Sequence, residues 1–484
     1  MRKYDTIIVG GGVIGKAITF KLSEIRPHSK ILSVDPHYKA NGSASYAAGA
    51  MLGAYAEITI DKTNKLDLEE INFRVQAQKY FPTWLEKIKE RSGRDIYTTM
   101  GTFLIANVNG KQDLLNLKRI KNELATRNEQ YEWIEPSDIP NFQPNPDYLA
   151  YQGLYVPNEG SINTSDLMDA LDIAIMNSGV EHLNKIVSRV LIEHDKAVGI
   201  VVDGENIYAD QVILCAGVGI QKILDTTNLS TKIPRLMPGK GVSLVVSSDI
   251  PFSNVIRTPN RDFACGTHIV PRSDSDIYIG ATNRISNTPG LKDGITSGEV
   301  HSLLHSAIHE IHTGFRTANI EKLYFGSRPI TTDRYPVVGE TSVSGLYVAT
   351  GTYRNGILMS PLIGDIVASE IVGENCHIDN PFSIEKRGLS LNNIKNNTEE
   401  LITNGIRDLV SFIQEPTGAL PYNRSQELTD FITILTTMVL NKEQNKYEEL
   451  LIESRELIER YPVAEIVPQL FYKYHQVKEQ ERIK

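Results

Sequence analysis

The chain has 484 residues, 59 acidic against 50 basic side chains and a formal net charge of −9; with no long basic stripe, this sets nucleic acid aside as a partner. The length predicts two or three domains at roughly 100 to 200 residues each, and no apolar stretch reaches the roughly 18 residues of a membrane-spanning helix. Cys215, Cys265 and Cys376 are too widely spaced for a metal or redox pair, which reads as a reducing compartment or as simple burial; a cytoplasmic setting is expected.

The first element is expected to be a strand from Tyr4 to Val9, so early that no signal peptide is expected before it. It runs into Gly10-Gly11-Gly12-Val13-Ile14-Gly15 and then a helical pattern from Ala17 to Leu22. In this G-x-G-x-x-G turn Gly10 permits the sharp bend, Gly12 lets a pyrophosphate approach the backbone, and Gly15 lets the helix pack closely on the strand. The diphosphate is expected on the helix N-terminus beside Val13, where open amides and the dipole favour negative charge. Asp35 follows Gly15 by 20 residues at the end of the apolar run Ile31 to Val34, the place of a ribose-binding acid.

Downstream, the segment from Ser43 to Ala54 is rich in small residues, among them Ser45, Ala48 and Gly49 beside Met51. It reads equally as a seat for a flat ring and a diphosphate or as a tightly packed loop. Pro136, Pro140, Pro144 and Pro146 mark an irregular connector. A second nucleotide-type strand, Gln211 to Cys215, ends in the small-residue turn Ala216-Gly217, as expected where a discontinuous dinucleotide domain resumes after an insertion. His301, His305, His309 and His312 fall on one face of an expected helix, which reads as a packed or solvated stripe rather than a zinc site; no metal site is expected. Near the end come Gly326-Ser327-Arg328-Pro329 and Ala349-Thr350-Gly351-Thr352-Tyr353-Arg354-Asn355-Gly356-Ile357, the latter opening an apolar-periodic helix from Leu358 to Ile371 in which Pro361 is expected in the first turn. After a polar linker around 391–397, helical spacings recur at 401–412, 428–440 and 447–461, predicting a small helical appendage.

Together, the N-terminal glycine turn, the Ala48–Ala54 loop, Leu154-Tyr155-Val156-Pro157, the Ala216-Gly217 turn, Ile269-Val270-Pro271-Arg272, Gly280-Ala281-Thr282 and the two late motifs resemble the FAD-dependent D-amino-acid oxidase superfamily, and within it the glycine oxidases of thiamine biosynthesis. The resemblance spans about residues 1 to 375 in the same order. It implies an α/β protein: a discontinuous Rossmann-like FAD domain of the glutathione-reductase type (1–80, 150–230 and 325–375) and a mixed-sheet substrate domain (81–149 and 231–324); the helical spacings beyond the resemblance predict a linker plus helical C-terminal extension (376–484). It further implies that Val187, Ala216, Gly217, Asn355, Gly356 and Ile357 join the glycine turn, Asp35 and the small-residue loop in holding FAD.

The activity implied is oxidation of the C–N bond of a small amino acid or amine by hydride transfer to flavin. Positioning is its main demand, because the nitrogen lone pair drives the hydride out without a protein base. Arg328 matches the family arginine that holds the substrate carboxylate, a role suited to a two-pronged guanidinium. The helix after Asn355 is expected to aim its N-terminus at the flavin pyrimidine edge. Arg354 faces the site entrance or packs on its loop; both readings stand. Two departures make the pocket more polar: His268 replaces a tyrosine and Asn283 a methionine, so glycine itself is in doubt and a substrate with a further polar or acidic group is expected. No cysteine matches the position of covalent flavin attachment near Arg328, so FAD is expected to be non-covalent. O2 is the expected acceptor; alternatives are a dehydrogenase feeding a quinone or carrier, and a non-catalytic flavoprotein scaffold. The C-terminal helices are the expected surface for any oligomer or protein partner.

Overall fold

The computed structural model describes residues 3–36, 42–60, 62–107, 113–227, 229, 233–260, 265–285, 294–331 and 333–391. The helices expected at 401–412, 428–440 and 447–461 lie outside them.

The N-terminal strand Lys3–Val9 forms the middle of an eight-stranded mixed sheet. It pairs in parallel with Ile31–Val34 on one side and Glu205–Leu214 on the other. Leu346–Thr350 extends the parallel set beyond Glu205–Leu214, and Val337–Glu340 closes that edge antiparallel. These strands read as unbroken apolar runs, Ile7-Ile8-Val9 and Val212-Ile213-Leu214 being buried throughout, because both faces of the sheet are covered. Helices Val13–Ile25, Gly356–Val372, Lys65–Ser92 and Thr164–Asn177 contribute to one large core on one side. On the other, the antiparallel strands Val187–Glu193 and Lys196–Val202 help enclose a second core with Val9, Val34 and Leu214.

Two glycines fix how closely the first helix lies. At Gly10, whose φ is +122°, a Cβ would stand 2.5 Å from the Ala216 amide nitrogen; at Gly15 it would press on the Gly10 carbonyl and stand 2.9 Å from Cys215 Sγ. The helix Gly356–Val372 runs longer than the expected Leu358–Ile371, and Pro361 falls beyond its first turn. It is tolerated there because Ser360 Oγ donates to the Ile357 carbonyl at 2.9 Å, supplying the bond that the missing proline N–H cannot make.

The second sheet has nine strands and is mostly antiparallel. Its longest ladder joins Leu236–Ser247 to Asn319–Thr331, in a register that sets Arg328 opposite Gly239 and Gly326 opposite Gly241. Asp276–Gly280, His268–Pro271, Val255–Arg257, Thr98–Asn107 and Ala150–Ile162 follow across the sheet. Sheet membership cuts across the sequence limits at 80, 150 and 325. Residue 80 lies inside Lys65–Ser92, while the strands beginning at Ala150 and Asn319 belong to this second sheet, because each pairs along its length with a strand of that sheet.

The histidine stripe begins on helix Ser297–Ser306 and continues through a wider turn, Ala307–Ile311. That turn draws the His305 and His309 rings to 4.4 Å between centroids, whereas His312 follows in extended backbone and accepts from Gly314 N. Four histidines therefore do not share one helical face. Among the described residues, no three His, Cys, Asp or Glu side chains are arranged to hold a metal, and no helix is long and apolar enough to cross a membrane.

Candidate active site

Between the two sheets lies a cavity of about 320 Å3, running from Asp35 and Gly217 past Gly12 and Val13 to His268, Arg328 and Tyr353. Its first end is built by the glycine turn. Asp35 Oδ2 accepts from Gly11 N at 2.7 Å and Ser45 Oγ, on the short helix Ala44–Ala47, from Val13 N at 3.0 Å, so an acid and a hydroxyl from two separate segments are drawn to one helix N-terminus. A Cβ on Gly12 would stand 3.2 Å from Ser45 Oγ, inside the space a ligand needs. Ala48, Gly49, Met51, Ala216 and Gly217 line the same cavity. Gly10 and Gly15 act by packing rather than as lining, and Val187 sits in the neighbouring apolar core, away from the cavity wall.

A second helix opens onto this space. Asn355, Gly356 and Ile357 line the cavity at the start of Gly356–Val372, whose N-terminus has no side-chain cap. Two helix N-termini facing one elongated, glycine-lined cavity fit a dinucleotide whose central diphosphate meets one helix and whose electron-accepting ring meets the other. Here the Gly12–Val13 turn and Ser45 would hold the diphosphate, Asp35 the ribose next to it, and the Ala48–Met51 loop with Asn355–Ile357 the ring side.

Arg328 projects from Asn319–Thr331 over the diagonal neighbour Gly241, where a Cβ would stand 2.5 Å from its Cζ. Its Nη1 donates to the Thr282 carbonyl at 3.0 Å and to Asn283 Oδ1 at 3.1 Å. Although half-buried, this guanidinium forms no ion pair among the described residues. Asn283 does not line the cavity: it is wholly buried, accepting from Arg328 and donating from Nδ2 to the Tyr353 hydroxyl. The polarity expected from it toward a substrate is directed at Arg328 instead.

His268 does line the cavity, stacked on Tyr278 with 6.0 Å between centroids. Burial, and then the Arg257 charge, depress its pKa to about 3, so its ring is neutral at ordinary pH. Arg354 lines the wall as well; its Nη2 donates to the Tyr353 hydroxyl at 3.0 Å and its guanidinium lies 4.7 Å from the Tyr353 ring centre. Arg354 thus packs on its neighbour Tyr353 while bordering the cavity.

Sequence reasoning missed a buried ionic group on this wall. Arg257 Nη1 donates to Glu57 Oε1 at 2.7 Å and Nη2 to Asn260 Oδ1 at 2.9 Å, while Asn260 Nδ2 donates to Glu57 Oε2 at 2.6 Å. Burial pushes the Glu57 pKa up, but Arg257 and then Arg354 outweigh it and hold the carboxyl at about 2. Since the partners are 200 residues apart, no local spacing announces them. Of the cysteines, Cys215 and Cys265 line the cavity; Cys215 lies just past its strand, beneath the glycine turn, with Sγ donating to the Val9 carbonyl.

A family model described as "DAO: FAD dependent oxidoreductase" matches residues 5–370. A glycine oxidase of Geobacillus kaustophilus is 31% identical over 391 residues, covering 79% of this chain and 97% of that protein. The crystal structure of glycine oxidase from Geobacillus kaustophilus superposes with a TM-score of 0.68 at 29% identity, covering 79% of this chain and 99% of the other. Glycine oxidase from Bacillus cereus ATCC 14579 gives 0.65 at 24% identity over 78% and 99%, a likeness of fold.

Proposed function

Because the chain belongs to the DAO family of FAD-dependent oxidoreductases, we propose that it oxidises the C–N bond of a small amino acid or amine. A hydride (two electrons with one proton) and a second proton leave the neutral amine to give an imine, which water hydrolyses to a carbonyl compound and ammonia or an amine; O2 takes the two electrons and two protons and becomes hydrogen peroxide. FAD, the cofactor of this family, supplies the two-electron acceptor.

The observation that carries the reading is Arg328, a half-buried cation on the cavity wall with no anionic partner among the described residues. A desolvated guanidinium is costly without a counter-charge, and a substrate carboxylate provides one. With Nη1 engaged by Thr282 and Asn283, the Nε–Nη2 edge is the side that takes two carboxylate oxygens. His268, neutral, contributes hydrogen bonding without adding charge. The N-terminus at Asn355–Ile357 supplies open amides and a dipole for the negative charge that reduction brings. A preference for substrates with a further polar group rests on His268 alone, since the Asn283 amide is engaged by the protein.

The test is anaerobic bleaching of the flavin absorbance with a panel of amino acids and N-alkyl amines, followed by admission of air. Bleaching by an amino acid and rapid recovery in air support oxidation with O2 as acceptor. Bleaching with slow recovery in air points to a separate carrier, and no bleaching across the panel overturns the proposal.

A further inference from the structure

Arg328 has five N–H donors in a fixed plane, and the structure divides them unequally. Both Nη1 bonds go to protein oxygens, Thr282 O and Asn283 Oδ1, while Nη2 and Nε have no protein acceptor among the described residues. Asn283 is itself held: it is wholly buried, and its Nδ2 donates to the Tyr353 hydroxyl, which also accepts from Arg354 Nη2 at 3.0 Å. Tyr353 in turn packs on Met237 and Ile330, the latter on the same strand as Arg328. The amide oxygen thus has a fixed direction, and Gly241 supplies the floor on which the guanidinium plane lies.

We propose that Asn283 is the positioning residue of the carboxylate anchor: it captures the Nη1 end of Arg328, so that the arginine presents its Nε–Nη2 edge side-on to one carboxylate. A thioether at this position cannot accept from Nη1 with comparable strength and leaves the guanidinium free to turn about its long axis. A carboxylate there keeps the shape but cancels the arginine's charge. The inference rests on Arg328 being the substrate anchor, and the two are separable.

Acetate, which has a carboxylate but no amine to oxidise, serves as the probe, with its binding to the holoenzyme followed by perturbation of flavin absorbance. N283M is expected to weaken acetate binding roughly tenfold, the effect of one hydrogen bond to a charged group. KM for an oxidised amino acid rises by a similar factor, and kcat changes little. N283D, nearly isosteric, is expected to weaken acetate more than N283M does, because its charge neutralises Arg328; a residue that merely fills space predicts the reverse order. R328L should abolish the acetate response. If R328L binds acetate normally, or the unaltered protein shows no response, the anchor reading fails and this inference with it. If R328L loses binding while N283D stays within twofold of the unaltered protein, or binds no worse than N283M, only the positioning role is overturned.

Discussion

Gly241→Ala separates the anchor's geometry from the stability of the fold. The new Cβ would stand 2.5 Å from Arg328 Cζ and closer still to its two terminal nitrogens, whereas ordinary contact begins at 3.4 Å. The guanidinium must therefore move by about 1.0 Å, the gap between 3.4 Å and the 2.4 Å at which its terminal nitrogens would stand. It is the far end of a flexible side chain, and Gly241 does not have a left-handed φ, so the backbone accepts alanine without strain. A shift of that size away from the methyl opposes the Nη1 bonds to Thr282 O and Asn283 Oδ1, now 3.0 and 3.1 Å. Misplacement by about 1 Å at a positioning group costs roughly a hundredfold in rate. The expectation is thus a fall of that order in kcat/KM for a carboxylate substrate, with FAD content normal and Tm changed by only a few degrees. Steady-state kinetics and a thermal melt of the same preparation check both parts. Unchanged kcat/KM in a folded, FAD-loaded variant would refute the placement of Arg328 over Gly241 as a functional one.

Acid or heat should release the flavin completely into the supernatant; yellow colour remaining in the precipitate would show a tether, with Cys265 on the cavity wall the first place to look. Glu159 is buried and its pKa is raised to about 7 by that burial, against hydrogen bonds from Tyr55 N and Ala56 N that lower it. A raised folded-state pKa means a contribution present below the ordinary carboxyl value of 4.5 and lost as pH rises toward about 7, on the order of 1.4 kcal/mol per pH unit. E159Q should flatten the stability profile in that window, and an unaltered slope would discount the shift. His268 should stay neutral through the working range, so H268N should leave the pH profile of kcat/KM unchanged; an acid limb near pH 6 to 7 that vanishes in H268N contradicts this. Glycine should be a poorer substrate than amino acids with a further polar group, and equal turnover of glycine would remove the argument from His268.

Much of the nucleotide side was legible from local sequence because its requirements are local. A strand, three spaced glycines, a helix and an acid 20 residues on are contiguous, and each restricts residue type through sterics or backbone amides. Asp35 and Ser45 meet the first helix where the glycine turn leaves N–H groups open. Pro361 illustrates a limit: periodicity revealed the helix but not its first residue, and so not that Ser360 would have to take over a carbonyl.

The substrate side obeys a different logic. Which face Arg328 presents is set by a register between strands about 80 residues apart, bringing Gly241 under the guanidinium and Asn283 beside it. From composition Asn283 is simply a polar residue near a pocket; only the packing turns its amide toward Arg328 and Tyr353 and out of the cavity. Glu57 and Arg257, separated by 200 residues, form a pair that no window of sequence contains, and their charge states depend on burial that exists only once both sheets have assembled. The sequence alone determined where backbone conformation and amide geometry invite a dinucleotide, since those follow from neighbouring residues. Tertiary structure decided which side chains face the substrate and in what charge state, because orientation and desolvation are properties of contacts between distant segments.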